Sequence, residues 1–320
     1  MKHKFLVPLA LLMIAVTSCS KDDPDSSGYI TAAKIATDVA ADSIMPWVER
    51  FSQVHLSDIP VNNSGFPPGD LFPSDHLTRD SAVGLFSSAL LSMGYKPDTA
   101  VLSDGNTITY NVFAEWPGTT KAEEVILVAG HIDAFYGGAD DNTSAIAAIL
   151  EAARALRKHS FARTIRFIAF DLAAFGSLGS TRYVEAGLAD DVKTAIVLDL
   201  VGYASSEPKS QKDVMGIWLP DVGDYLMVLG NKDSESITQQ VTGMSHACGL
   251  AKTLGVLAPG DGTYFLSSVF MRSDHGLMWY KGIPAVFFTD AANFRNPHYH
   301  LPSDLPSTIN KDFLVNNTRL

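Results

Sequence analysis

Apolar residues recur at helical spacing from Ile30 to Val54 and again from Asp80 to Met93, so each stretch predicts a helix. A Pro/Gly-rich loop around Phe66-Pro67-Pro68-Gly69 separates them. Beyond it the pattern alternates, and Thr107 to Glu115, Glu124 to Ala129 and Thr164 to Phe170 read as strands. Ala195 to Leu200 (AIVLDL) and Ala285 to Phe288 (AVFF) have the look of short buried strands. Between them, Ile146, Ile149, Leu150, Ala153 and Leu156 make one apolar helix face. Glu151, Arg154 and Arg157 lie opposite and are expected in solvent. Strands separated by helices predict an α/β fold, a mostly parallel sheet with helices on both faces.

The N-terminus has a different character. Lys2 and Lys4 precede an apolar run, Phe5 to Val16, too short to span a bilayer, and no later run is long enough. The run ends in Val16-Thr17-Ser18-Cys19, which resembles a bacterial lipobox. That resemblance implies a signal peptide over residues 1–18, cleavage before Cys19 and acylation of its sulfur. An ordinary secretory peptide with an incidental cysteine is the alternative. Residues 19–28 are polar and acidic, the composition of a flexible tether. The acidic tract also resembles a surface-export signal, with a solvated linker as the alternative. No composition break after Gly28 marks a further boundary, so residues 29–320 are expected to form one domain. The expected location is the bacterial cell envelope, with membrane contact through the lipid alone.

Composition narrows the chemistry. The 320 residues carry 24 basic and 35 acidic side chains, a net charge of −11, which argues against a nucleic-acid partner. The two cysteines, Cys19 and Cys248, cannot build a thiolate zinc site. With Cys19 acylated, Cys248 is the one free thiol, most simply a buried helix residue. Any metal must be held by nitrogen and oxygen.

The carboxyl ends of the predicted strands carry such donors, where open α/β sheets place their sites. EVILVA runs into Gly130-His131-Ile132-Asp133, and Gly138-Ala139-Asp140-Asp141-Asn142 leads into the apolar helix. AIVLDL carries Asp199, and Asn296-Pro297-His298-Tyr299-His300 is followed by Asp304. Imidazoles and carboxylates together suit a borderline divalent ion, zinc above all. Asp133 and Asp304 are placed to accept from His131 and His300 and fix their tautomers. Asp140 sits at a helix entrance where Asn142 or Thr143 is expected to cap.

The stretch from VAGHIDAFYGGADDN through FDLAAFGSLGS, with LDL, RSDHGLMWYKGIPAVFF and NPHYHLPSD, resembles the co-catalytic zinc aminopeptidase family that also contains the glutaminyl cyclases. The likeness runs from about Ile30 onward. It implies a three-layer α/β sandwich holding two zinc ions about a bridging water, and a peptide or its amino terminus as ligand. Carried over, His131 and Asp199 hold the first zinc, Asp140 bridges and His300 holds the second. Asp133 orients His131, while Asp141, Asp304 and His275 stand behind the ligands. Glu151 is outside this set. Phe270 is expected to pack, and Trp279, Tyr280, Phe287 and Phe288 either line an apolar pocket or belong to the core.

The chain departs from that family at two positions. Where the resemblance implies a general-base glutamate and a glutamate ligand of the second zinc, Ala173 and Ala174 stand. Losing a positioned general base costs about 10²–10⁴ in rate. The expectation is one retained zinc, a weak or empty second position and little hydrolysis. The competing expectation is an active aminopeptidase, or less readily a glutaminyl cyclase, relying on Asp171 or on zinc-bound hydroxide. Asp171 lies two residues before Ala173 and would share its face on an extended strand.

Overall fold

A computed structural model describes residues 26–58, 77–105, 107–214, 217 and 219–320. In chain order its elements are α1 (Ser26–Ala36), α2 (Ala41–Asp58), β1 (Leu77–Thr78), α3 (Asp80–Ser92), β2 (Asp98–Ser103) and β3 (Ile108–Trp116). There follow β4 (Lys121–His131), β5 (Ala134–Phe135), α4 (Thr143–Leu156), β6 (Arg163–Phe170), α5 (Leu178–Glu185) and β7 (Val192–Leu198). The last are β8 (Leu226–Gly230), α6 (Glu235–Cys248), β9 (Thr253–Leu257), α7 (His275–Tyr280), β10 (Ala285–Thr289) and α8 (Lys311–Arg319). The expected signal peptide, Cys19 and the loop around Phe66 to Gly69 lie outside the described residues.

Among the described residues the main sheet has eight strands in the order β2-β3-β6-β4-β7-β10-β8-β9. Its centre is parallel: β4 pairs with both β6 and β7, and β7 with β10. Antiparallel pairings bring in β3, β2 and β8 toward the edges. Successive residues of β4 face opposite layers, as a pleated strand requires. Val128 joins the core beneath α2, α3, α4 and α8, while Leu127 and Ala129 join the one beneath α5 and α7. The result is the three-layer α/β sandwich expected. Both faces of the central strands are covered, which is why EVILVA reads as a continuous apolar run.

Close packing sets the height of the site. A Cβ on Gly130 would lie 3.0 Å from both Ile149 Cδ1 and the Leu198 carbonyl oxygen. α4 therefore sits tightly over the ends of β4 and β7, next to His131.

Several local expectations are corrected. The helical stretch from Ile30 to Val54 is two helices, and α1 already includes residues 26–28 of the expected tether. The break has a cause in α4. Glu151 is fully buried, contrary to its expected exposure, and its carboxylate accepts Ala40 N–H and Ser43 Oγ–H and pairs with Arg154. Cys248 is only half-buried, at the end of α6. No helix among the described residues is long and apolar enough to cross a membrane.

Candidate metal centre

Two strand ends and the entrance to a helix converge at the top of the sheet. His131 is the last residue of β4, Asp199 directly follows β7, and Asp141 lies two residues before α4. His131 Nδ1 donates to the Asp133 carbonyl at 3.0 Å, which turns Nε2 toward the cluster. Nε2 then lies 3.2 Å from Asp199 Oδ1 and 3.4 Å from Asp141 Oδ1. His300, at a left-handed backbone position, stacks on Tyr299 and brings Nε2 to 2.9 Å from Asp141 Oδ2. Asp141 thus places one oxygen before each imidazole.

Asp140 was the expected bridge, and the structure turns it away. Its Oδ1 accepts Gly202 N–H at 2.9 Å and its Oδ2 accepts Asn296 Nδ2–H at 2.7 Å. Burial and the neighbouring Asp290 shape its charge state: burial raises the Asp140 carboxyl above the usual range, and Asp290 is pushed up further. Asp304 stands behind Asp141. Its two oxygens accept the backbone N–H groups of Asp140 and Asp141 at 2.9 and 3.0 Å, so it shapes the loop presenting Asp141. Asn142 makes no side-chain cap on α4. Its amide instead ties the Leu198 carbonyl to Leu200 N–H, stitching the ends of the strands beneath the site. Thr143 Oγ1 is buried without a partner, so it does not cap either.

Asp133 is where expected, beside His131, with its Oδ1 3.5 Å from Nδ1. It has a second task that the sequence did not disclose. Its oxygens accept the backbone N–H groups of Ala173 and Ala174 at 2.9 and 3.0 Å. Asp133 therefore fixes the imidazole chiefly through its carbonyl and the turn carrying the two alanines through its carboxylate. A cavity of about 750 Å³ opens over this arrangement, lined by His131, Asp141, Asp199, Ala173, Ala174 and His300. Arg272 and Tyr299 form part of its wall, and both also line an adjoining, mainly apolar slot of about 60 Å³ with Phe270 and Phe287.

Asp171 does not reach the cluster. β6 ends at Phe170, and Leu172 takes a left-handed conformation (φ +54°), so the chain turns before Ala173. The fully buried Asp171 carboxylate pairs with Arg79 and accepts Tyr110 N–H. Burial pushes its pKa up to about 6, against the lowering by Tyr110 N–H and Arg79. It is a structural acceptor.

His275 also stands apart from the ligands. Its Nε2 meets the Phe270 carbonyl at 2.6 Å, its ring stacks on Phe287, and its Nδ1 has no partner. Burial lowers its pKa to about 4, which keeps it neutral. Phe270 packs as expected. Of the four aromatics considered for a pocket, Phe287 lines the slot, Trp279 and Phe288 are core, and Tyr280 is exposed.

The donor set fits zinc. His131, Asp141 and Asp199 each offer an atom, all within 4.8 Å of one another. Zinc bonds of about 2.0–2.1 Å in a tetrahedron put neighbouring donors about 3.3 Å apart. The observed 3.2 and 3.4 Å match that edge. Two carboxylate oxygens facing one imidazole nitrogen also require a positive charge among them. Burial lowers the His131 pKa, but the charge of Asp199 and contacts with Asp133, Asp141 and Asp199 outweigh it and raise the pKa well above the usual value. A divalent cation meets the same need without a proton.

The uncharacterized protein YfbL of Escherichia coli is 30% identical over 204 residues, 58% of this chain and 61% of that protein. The aminopeptidase YwaD of Bacillus subtilis is 37% identical over 91 residues, 27% of this chain and 20% of that protein. The chain thus spans less than two thirds of the length of either relative. The LapA aminopeptidase of Legionella pneumophila shares the fold, with a TM-score of 0.63 at 17% identity over 91% of this chain and 72% of that one. A model of peptidase family M28 matches residues 111–320, which contain every donor of the cluster. The chain belongs to peptidase family M28.

Proposed function

We propose that this M28 protein holds one zinc ion at His131, Asp141 and Asp199, and binds peptides by their amino-terminal end with little or no hydrolysis. The carrying observation is the pair of methyl groups, Ala173 and Ala174, on the cavity wall beside His131. When bound, zinc supplies a Lewis-acid centre able to polarise a peptide carbonyl. The chain's own residues do the rest. Asp133 holds the His131 ring in the tautomer that presents Nε2. Asp141 offers its second oxygen toward His300, a position with two protein donors where a catalytic zinc usually has three. Ala173 cannot take a proton, and the pairing of Asp171 with Arg79 leaves no substitute base there. An apolar slot next to the centre suits a hydrophobic side chain of the ligand.

The family is one of peptidases, and the loss of hydrolysis is this chain's own departure from it. Anchoring through acylated Cys19 in the cell envelope, reached through the lipid alone, completes the proposal. It rests on the lipobox-like residues and on the apolar run before them.

Metal content of the purified mature chain tests the reading. One zinc per chain after dialysis is expected, lost in His131→Ala, together with little or no release of amino-acid anilides. Chelator-sensitive turnover by the unmodified chain would overturn it.

A further inference from the structure

Among the described residues the main sheet ends on β9, and that edge is unguarded. Thr253–Leu257 carries no charge and no proline, the devices that usually blunt an edge strand. The opposite edge differs. β2 is flanked by Asp98 and Asp104, and Arg182 of α5 donates to its Leu102 carbonyl at 3.3 Å.

Two hydrogen bonds fix which backbone groups of β9 face outward. The Lys252 carbonyl accepts Leu226 N–H, and Ala258 N–H donates to the Gly230 carbonyl, both at 2.8 Å. Alternate residues of a parallel ladder point the same way, so Thr253, Gly255 and Leu257 turn their N–H and C=O groups away from β8. Among the described residues one of these groups meets a partner: the Thr253 carbonyl, with His246 Nε2 at 3.3 Å. A carbonyl keeps a second lone pair for another donor.

Symmetry and charge identify what pairs there. A two-fold axis through Gly255, normal to the sheet, sets Gly255 against Gly255 of a second copy and Thr253 against the partner's Leu257. All three residues face outward, so this register is in phase and closes about six backbone hydrogen bonds. α6 fits the same axis. A Cβ on Gly230 or on Gly255 would meet Thr238, so α6 lies over the gap between β8 and β9. With strands about 4.8 Å apart, its axis stands about one spacing from the two-fold, which sets the two α6 helices about 9.6 Å apart. Helices pack at about 8–10 Å. Gln239, Thr242, Gly243 and His246 form the flank of α6 turned toward the axis, as His246 shows by reaching Thr253. Residues 236–257 hold a single formal charge, Lys252, and it is paired with Asp224. On a chain of net charge −11, this strip lets two copies approach without like charges meeting.

We propose that the β9 edge and the outer flank of α6 form a homodimer interface, joining two sheets into one across a two-fold axis at Gly255. The inference is independent of the zinc reading. α1 packs on α6 and α4, so the axis leaves both α1 helices on one face of the dimer, where two lipid-anchored chains can reach a single membrane.

The test is sedimentation of the full mature chain as Cys19→Ser, which removes the lipid as a cause of association. A dimer is expected. Leu257→Lys puts a charge on this edge and should weaken the dimer by roughly 10-fold or more, because the two-fold counts each substitution twice. Val101→Lys, at an exposed position of β2, should leave it unchanged. Hydrogen exchange of the chain without either lysine gives a readout independent of any effect on folding. The Gly255 and Leu257 amides should be protected in the dimer and lose that protection on dilution to monomer. A monomer at every concentration overturns the proposal, even if a segment of its own chain protects β9. A dimer untouched by Leu257→Lys, one weakened instead by Val101→Lys, or one whose β9 amides exchange freely also overturns it.

Discussion

Asp141 Oδ2 lies 2.9 Å from His300 Nε2, and the other oxygen of the same carboxylate faces His131 Nε2 at 3.4 Å. Its neighbour Asp140 is spent on Gly202 and Asn296. The two adjacent aspartates therefore have opposite predicted phenotypes. Asp141→Ala is expected to weaken zinc binding by more than the roughly 10–100-fold typical of losing a group behind the ligands. Asp140→Asn should keep zinc, because an amide oxygen can still accept Gly202 N–H. Competition with a chromophoric chelator measures both, and zinc loss confined to Asp140→Asn would reverse the assignment.

Which of the two faces the metal was not legible in the sequence. Both precede the same helix, and spacing alone does not say which way a loop carboxylate points. The choice depends on Asp304 holding both backbone N–H groups and on Gly202 leaving room beside Asp140 Oδ1, contacts across more than 60 residues. The sandwich itself was legible because β4, β6, β7 and β10 are apolar on both faces and α4 carries a clear stripe. Edge strand β2 (DTAVLS) is largely exposed and too polar to stand out. The break between α1 and α2 was hidden because helical spacing continues through it, and the buried Glu151 that occupies it belongs to another helix. The same-face argument for Asp171 failed because β6 stops at Phe170, as expected, and the chain turns at Leu172 rather than running on extended to Ala173.

Acid–base behaviour gives a second prediction. Burial pushes the pKa of Asp274, whose Oδ1 accepts Ser180 Oγ–H, up to about 6. The folded chain thus holds this proton to higher pH than the unfolded chain does. Its contribution is greatest below the unfolded value near 4 and is lost as pH rises toward 6. His275, lowered by burial to about 4, acts in the opposite direction and costs stability as pH falls from about 6.5 to 4. Asp274→Asn removes only the first effect. Relative to the parent, the metal-free variant should gain about 2–3 kcal/mol between pH 4 and pH 6 and stay level above that. Urea unfolding across this range checks it, and parallel profiles would show that Asp274 does not titrate there.

The proposed lipid anchor makes a third prediction. Cys19→Ser should move the protein from the membrane fraction to the soluble envelope fraction, and the mature wild-type chain should begin at an acylated Cys19 by mass spectrometry. A soluble, unacylated wild-type chain cut elsewhere would identify an ordinary secretory peptide.

The most direct test of the central claim is restoration. Ala173→Glu and Ala174→Glu, introduced together, should raise zinc content from one to two per chain and switch on hydrolysis of amino-acid anilides by about 10²-fold or more over the parent. A double variant that binds two zinc ions yet remains inert would contradict the assignment of these two positions.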